Sequence, residues 1–265
     1  AVEDELAEAA PLTAISGKQL KGEKWHSWLE RKPIQFTILT TVAVAIGGIV
    51  QIVPMIVVKS NIPTISSVKP YSPLELEGRD LYIREGCNNC HSQMIRPFRS
   101  EVKRYGEYSK SGEYVYDHPF LWGSKRTGPD LMRIGGKYND NWHFNHMWSP
   151  QRMDEKSVMP AYKWLFDNEA MDHSHIEKKM SVMVTLGVPY TDADIANAKK
   201  SIEEQSAKIE KSLYNDPDFV KSYEDSKKKA AAKGETFVPM KDREIVALIA
   251  YLQRMGTDIK VKKAE

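Results

Sequence analysis

The chain of 265 residues contains only two cysteines, and this excludes a scaffold held together by several disulfides. It also lacks an excess of charge of either sign. Its 38 Lys and Arg against 36 Asp and Glu give a net charge of +2, so nucleic-acid binding is not predicted. A mean hydropathy of −0.50 excludes a protein with many membrane spans. No Ser-His-Asp set, phosphate-binding loop or paired-carboxylate site stands out, so chemistry on a bound organic substrate is not indicated.

One stretch departs from this average composition. Residues 34–58 carry no charged side chain and are dominated by Leu and β-branched residues. A helix of about 20 apolar residues crosses the hydrocarbon core of a bilayer, so the stretch predicts a single transmembrane anchor. The alternative is a cleaved signal peptide, but both the apolar stretch and the segment before it are longer than is typical of one.

Basic residues are more frequent before the anchor than after it. Five lie within residues 18–32 and two within residues 59–69. Since cytoplasmic flanks carry the excess of Lys and Arg, this asymmetry places residues 1–33 in the cytoplasm and the chain after the anchor on the other side.

The chain beyond the anchor divides into three parts. Residues 59–71 predict a tether, residues 72–259 a domain, and residues 260–265 a C-terminal tail. Within the domain, the Gly, Pro and aromatic content of residues 87–163 predicts a long loop region wrapped around a ligand. A helical insertion over about residues 167–238 is predicted from apolar residues at helical spacing, including a helix that starts at Thr191 and continues to Leu213.

The first and last helices of this domain have recognisable ends. Ser72-Pro73-Leu74-Glu75 predicts a capping box at the start of the first helix. Asp242 is predicted to cap the last helix. Gly78 on the first helix is predicted to permit a close crossing against Tyr251 on the last. The apolar stripe of the last helix is predicted to comprise Ile245, Leu248, Ile249 and Leu252.

Residues 87–91 are Cys-Asn-Asn-Cys-His, the attachment motif of c-type haem. The pattern predicts one haem, held covalently through Cys87 and Cys90, with His91 as a ligand of the iron. One alternative is a dithiol redox pair, which needs no adjacent histidine. The other is zinc, which would need at least one more ligand from a distant histidine. His143 and His146, spaced i, i+3, are insufficient as a metal site by themselves.

A haem iron bound by His91 has a sixth position, which Met sulfur occupies in many electron-transfer cytochromes. Met159 lies in Ser-Val-Met-Pro-Ala, a non-helical segment far enough downstream to reach the opposite haem face. Met153 and Met147 remain as alternatives. The carbonyl of Pro129, in Gly-Pro-Asp-Leu, is a candidate acceptor for the second ring nitrogen of His91, because haem-ligating histidines are usually fixed in this way.

Cationic side chains lie near these motifs. Lys125 and Arg126 precede the Gly-Pro turn and are candidates for neutralising haem propionates, with solvent exposure as the alternative. Arg96, Arg99 and Arg104 are candidates either for the same role or for pairing across a subunit interface.

These motifs belong to longer strings of residues. The strings are Pro73–Asp80, Tyr82–Cys87, Cys90–Arg99, Tyr116–Phe120, Trp122–Leu131 and Met159–Tyr162. Over residues 71 to about 259 the chain resembles the monohaem cytochrome c subunit (subunit II) of cbb3-type cytochrome c oxidases. The resemblance implies a mainly α fold, in which a single N-terminal transmembrane helix precedes a class I cytochrome c-like haem domain with long loop and helical insertions. It also implies that His91 and Met159 ligate a low-spin haem c.

The resemblance further implies a function and a location. The subunit would relay electrons from a dihaem cytochrome c subunit to haem b of the catalytic haem-copper subunit, where oxygen is reduced and protons are pumped. It would sit in the bacterial inner membrane with its haem domain in the periplasm. The alternatives are an anchored cytochrome c of another respiratory complex, such as nitric oxide reductase, and a zinc-stabilised interaction domain on a membrane stalk.

Overall fold

The structure is a computed structural model and describes residues 24–58 and 63–260. The chain forms two compact units, with the boundary between Ile62 and Pro63. Most of the predicted cytoplasmic segment, the first residues of the predicted tether and residues 261–265 lie outside the described residues.

The first unit contains helix α1 (Trp25–Glu30) and helix α2 (Pro33–Val57). Pro33 occupies the first helical position of α2, where a missing backbone N–H costs nothing. From Pro33 to Met55 this is the one helix among the described residues that is long and apolar enough to cross a membrane. A core helix of a soluble protein is mostly buried, whereas none of the most apolar part of α2 is buried. The predicted helix over residues 34–58 is therefore confirmed, and its exposed apolar surface suits a lipid environment.

The second unit is helical, and no strand occurs in its described residues. Its α-helices are α3 (Pro73–Arg84), α4 (Cys87–Cys90), α5 (Arg99–Tyr105), α6 (Asp140–Trp148), α7 (Ile176–Thr185), α8 (Asp192–Ala196), α9 (Ala198–Leu213), α10 (Pro217–Lys233) and α11 (Glu244–Arg254). Short 3-10 helices lie at Ser111–Tyr114, Pro150–Arg152, Lys163–Phe166, Met240–Asp242 and Asp258–Lys260.

Helix α11 is the centre of the core. Its residues 245–252 are at most 3% exposed, and it packs against α3, α6 and α9. A helix that is covered on all sides needs apolar residues on every face. Besides the predicted stripe, Val246, Ala247 and Ala250 are also buried. The prediction of a single apolar stripe on this helix was therefore too narrow.

The close crossing predicted between α3 and α11 is confirmed. A Cβ atom added to Gly78 would lie 1.9 Å from the carbonyl oxygen of Ala247 and 2.9 Å from Cβ of Tyr251. The tightest contact is thus with backbone rather than with the aromatic ring. The ring of Tyr251 packs edge-on against Tyr82, with 5.4 Å between centroids. Only glycine lets the two helix axes approach this closely.

The predicted capping box of α3 is confirmed. The Ser72 hydroxyl accepts a hydrogen bond from the Glu75 N–H at 3.3 Å, and the Ser72 N–H donates to Glu75 Oε2 at 2.8 Å. The prediction for α11 was wrong, because Arg243 rather than Asp242 is its N-cap residue. Asp242 ends a 3-10 turn instead. The Arg243 guanidinium stabilises that turn by donating to the carbonyl oxygen of Val238 at 2.8 Å.

The region of residues 87–163, predicted as a long loop, contains more helix than expected. It contains α5 and α6, and the side chain of Asn139 caps α6 by accepting the Trp142 N–H at 2.8 Å. In the predicted insertion, helix α7 begins only at Ile176. The helix predicted from Thr191 to Leu213 is interrupted at Asn197, whose amide donates to the Ala193 carbonyl at 2.8 Å.

Candidate haem site

The Cys-Asn-Asn-Cys segment forms the single-turn helix α4, which follows α3 directly. The predicted contact of His91, the next residue, is present: its Nδ1 lies 2.8 Å from the carbonyl oxygen of Pro129. Because a carbonyl can only accept, Nδ1 carries the proton. Nε2 has no hydrogen-bond partner among the described residues, so the nitrogen that would bind iron is free.

Gly128 lies directly against the imidazole of His91. A Cβ atom at this position would lie 2.2 Å from Cε1, 2.6 Å from Nδ1 and 2.7 Å from Nε2. The absence of a side chain at residue 128 thus provides the space that the His91 ring occupies. Together with the Pro129 carbonyl, this contact sets the orientation of the ring.

The segment that contains His91 is hydrogen-bonded to the segment of residues 128–131. The Gly128 N–H donates to the Cys90 carbonyl, and the Leu131 N–H donates to the Ser92 carbonyl, both at 2.9 Å. The buried Asp130 carboxylate adds two contacts, accepting from the Ser92 hydroxyl at 2.6 Å and from the Met94 N–H at 2.9 Å. The residues on both sides of His91 are therefore fixed to this segment, in addition to the His91 ring itself.

Arg126 joins this network. It donates to Ser92 Oγ at 2.6 Å, to the Met94 carbonyl at 2.7 Å and to Glu101 at 2.8 Å. A propionate contact by Arg126 stays a prediction, and it would have to use Nη1, for which no hydrogen bond is found among the described residues. Lys125 is exposed and has no ion pair within the described part of the chain, so its propionate role also stays a prediction.

Glu101 gives this network a pH dependence. The residue is 7% exposed, and hydrogen bonds from Arg126 and then Arg96 lower the pKa of its carboxyl group from 4.5 to about 2. A carboxyl with a lowered folded-state pKa stabilises the fold above its ordinary pKa and loses this effect as the pH falls. We expect Glu101→Gln to lower the free energy of unfolding at pH 7 by about 1–3 kcal/mol, because Arg126 loses a charged partner.

The gap between wild type and Glu101→Gln should narrow as the pH falls from 4.5 towards about 2, as measured by denaturant unfolding across that range. Glu204→Gln is the control, because Glu204 is exposed and lies 3.9 Å from Lys200 in a weak surface pair. A gap that stays constant with pH would contradict the assignment to Glu101.

The Met159 segment lies beside the attachment motif. Burial raises the pKa of Tyr162 to about 12, and the proximity of Cys87 and Cys90 makes a smaller contribution. The Trp164 indole N–H donates to Glu85 at 2.9 Å, which ties the same segment to the end of α3. Met159 is half-buried and packs against the main core. The segment thus lies beside the attachment motif, and ligation by Met159 stays a prediction.

The two thiols differ in their surroundings. Cys87 is buried and Cys90 is exposed, and neither is in a disulfide. Burial, with a smaller effect of Glu85, raises the pKa of Cys87 to about 12, so this sulfur is a protonated thiol at neutral pH. Zinc is bound by thiolate, so this environment does not favour the zinc alternative. Within residues 24–58 and 63–260, no group of three or more His, Cys, Asp or Glu is arranged to hold a metal ion.

The residues present therefore fit a covalently held haem. The unpaired thiols of Cys87 and Cys90 precede His91, whose Nδ1 is already held by a hydrogen bond. Burial lowers the pKa of His91, which favours the neutral imidazole that binds iron. Sequence reasoning missed the supporting roles of Gln93 and Asp130. The Gln93 amide donates to the Tyr251 hydroxyl at 3.0 Å and so links the motif to α11. No local pattern indicates such a contact, since 158 residues separate the partners.

Comparison with known proteins agrees with the site. No curated protein matches the chain. The model of the family described as cytochrome c oxidase, mono-haem subunit/FixO, matches residues 26–259, which is most of the chain. This match confirms the resemblance to the monohaem subunit of cbb3-type oxidases and favours an oxidase over a nitric oxide reductase. The α2 anchor and the single attachment motif fit a membrane-anchored subunit with one haem. The chain belongs to the FixO family of mono-haem cytochrome c oxidase subunits.

Proposed function

We propose that this subunit relays electrons within a cbb3-type oxidase. It takes electrons from a dihaem cytochrome c subunit and passes them to haem b of the catalytic haem-copper subunit. Oxygen reduction and proton pumping belong to that catalytic partner, and this chain carries no oxygen-reducing site of its own. The proposal goes beyond family membership, which gives an oxidase subunit with one haem.

The single observation that supports this role most strongly is the fixed imidazole of His91. Its Nδ1 donates to Pro129 at 2.8 Å and its ring lies against Gly128, so Nε2 is oriented and free. Cys87 and Cys90 would each hold one vinyl group of haem c as a thioether, and Met159 would supply the sixth ligand. Haem held in this way supplies a one-electron carrier with a raised reduction potential.

The proposed location follows from the anchor. Helix α2 would hold the chain in the lipid bilayer of the bacterial inner membrane, with the N-terminus in the cytoplasm because basic residues are concentrated before the anchor. The haem domain would then lie in the periplasm, where haem c is attached. No nucleic-acid partner is proposed.

Substitution of Met159 tests the relay. We expect Met159→Leu to keep haem covalently bound, because the cysteines are intact, but to lower the reduction potential in a redox titration. The equilibrium for accepting an electron falls about tenfold for each 59 mV lost. Oxygen uptake by the whole complex with its dihaem donor should therefore slow by about tenfold or more.

Met153→Leu is the matched control. Met153 precedes the same segment, is 40% exposed and is expected to leave potential and oxygen uptake unchanged. A normal potential in Met159→Leu together with a lowered one in Met153→Leu would reassign the ligand. Normal oxygen uptake in a complex whose subunit carries Cys87→Ser and Cys90→Ser, with no haem stain on the denatured chain, would contradict the relay itself.

A further inference from the structure

The last turn of α6 is tied to the Met159 segment. The Tyr162 N–H donates to the Met147 carbonyl at 2.9 Å. Gln151, which follows α6, donates to the carbonyl oxygens of Ser157 at 3.1 Å and Met159 at 3.0 Å. The last turn of α6 and the Met159 segment therefore lie next to each other.

His146 occupies this turn, and its ring is held in place by stacking. It lies parallel to Trp142, with 4.6 Å between centroids and 13° between planes. Trp142 in turn stacks on Tyr138 at 3.9 Å and 12°. A column of three rings thus covers one face of the imidazole and fixes the direction of its nitrogens.

The Nδ1 atom of His146 is buried and has no hydrogen-bond partner among the described residues. Burial lowers the pKa of His146, which favours a neutral imidazole with one N–H donor. A buried polar group left unpaired destabilises the fold, so such an atom indicates a partner that completes the site. Nε2 of His143, the other histidine of α6, is also buried without a partner among the described residues, but His143 is 1% exposed and packs against the rings of Tyr138 and Trp142 in the core.

We propose that His146 is a positioning residue that donates a hydrogen bond to the Met159 thioether sulfur when that sulfur binds the haem iron. This inference rests on the proposed ligation by Met159. A hydrogen bond to the sulfur withdraws electron density from its bond to iron. Ferric iron loses more from this than ferrous iron, so the donor raises the reduction potential and makes the sulfur easier to displace from the ferric state.

The test uses the full-length chain with its haem attached. His146→Phe keeps a ring that can stack on Trp142 but removes both nitrogens. We expect its reduction potential to fall, and the affinity of the ferric protein for added imidazole to fall about fivefold, the factor that corresponds to a hydrogen bond of about 1 kcal/mol. His146→Asn places an amide N–H near the position of Nδ1, and His146→Gln places one near Nε2. Recovery of the potential by one of these variants identifies the donor atom.

The variants distinguish a hydrogen bond from His146 from a general loosening of the structure around Met159. If His146→Phe merely loosened the pocket, imidazole would bind more tightly rather than more weakly, and the inference would be overturned. An unchanged potential and affinity would overturn it as well. Met159→Leu separates this from a failure of the proposed ligation: if that variant keeps the long-wavelength absorption band of thioether-bound ferric haem, Met159 is not the ligand. If it loses the band while His146→Phe behaves as wild type, only the role of His146 is wrong.

Discussion

Gly78→Ala is expected to prevent stable folding of the haem domain. Its added methyl group would lie 1.9 Å from the carbonyl oxygen of Ala247 and 2.6 Å from the carbonyl carbon. Neither atom belongs to a flexible side chain, so α3 and α11 would have to separate along the most buried part of the core. Overpacking of cores costs about 1–3 kcal/mol when side chains can adjust, and a clash with backbone exceeds that range. Since domains are stable by about 5–15 kcal/mol, we expect little folded protein.

Thermal and denaturant unfolding of the full-length chain measure this effect. Gly136→Ala is the control, since an added Cβ atom meets nothing within 4 Å there. It bears only the strain of a backbone φ of +66°, worth about 1–2 kcal/mol. A Gly78→Ala protein within 1 kcal/mol of the wild type would show that the helices can shift apart more cheaply than their packing indicates.

Gly128→Ala is expected to disrupt ligation of haem while leaving its covalent attachment in place. The new Cβ atom would lie within 2.7 Å of three atoms of the His91 ring, which would have to turn away from the Pro129 carbonyl. Cys87 and Cys90 are unaffected by that rotation. The denatured chain should therefore still stain for haem, while the folded chain loses the low-spin absorption spectrum of an iron with two strong axial ligands.

Pro129→Ala provides a matched comparison at the neighbouring residue. It retains the backbone carbonyl that accepts from His91 Nδ1, so we expect a low-spin spectrum close to that of the wild type. If Pro129→Ala lost the low-spin spectrum while Gly128→Ala kept it, the ring of the proline rather than the space at Gly128 would position the histidine. A normal spectrum in both variants would show that iron binding alone orients His91.

Much of this architecture could be predicted because its signals are local. The apolar stretch of α2, the capping box at Ser72 and the Cys-x-x-Cys-His motif each lie within a short window of sequence. The hydrogen bond between His91 and Pro129 spans 38 residues, yet it was predictable because histidine ligands need a fixed second nitrogen. This contact was therefore predicted from the chemistry of the ligand and not from a local sequence pattern.

The features that were not predicted depend on distant partners. Asp242 is a residue type that commonly caps helices. The Arg243 guanidinium, however, donates to the carbonyl oxygens of Phe166 and Val238, and these contacts place a 3-10 turn before α11. Arg126 was predicted either as a propionate contact or as solvent-exposed, because nothing near it in sequence indicates Glu101, 25 residues away. The stacked rings of α6 left no apolar stripe at helical spacing, so neither the helix nor its place beside Met159 was evident.

The pairing of α3 with α11 has a consequence for biogenesis. A ribosome makes α3 and the thiols of Cys87 and Cys90 well before it makes Tyr251, whose hydroxyl group and ring contact Gln93 and Tyr82. Until the C-terminal end has been synthesised, α3 has no helix to close against. The Cys87 thiol, which is buried in the folded chain, is therefore still accessible during that interval. A truncation before α11 should leave this intermediate as the end point.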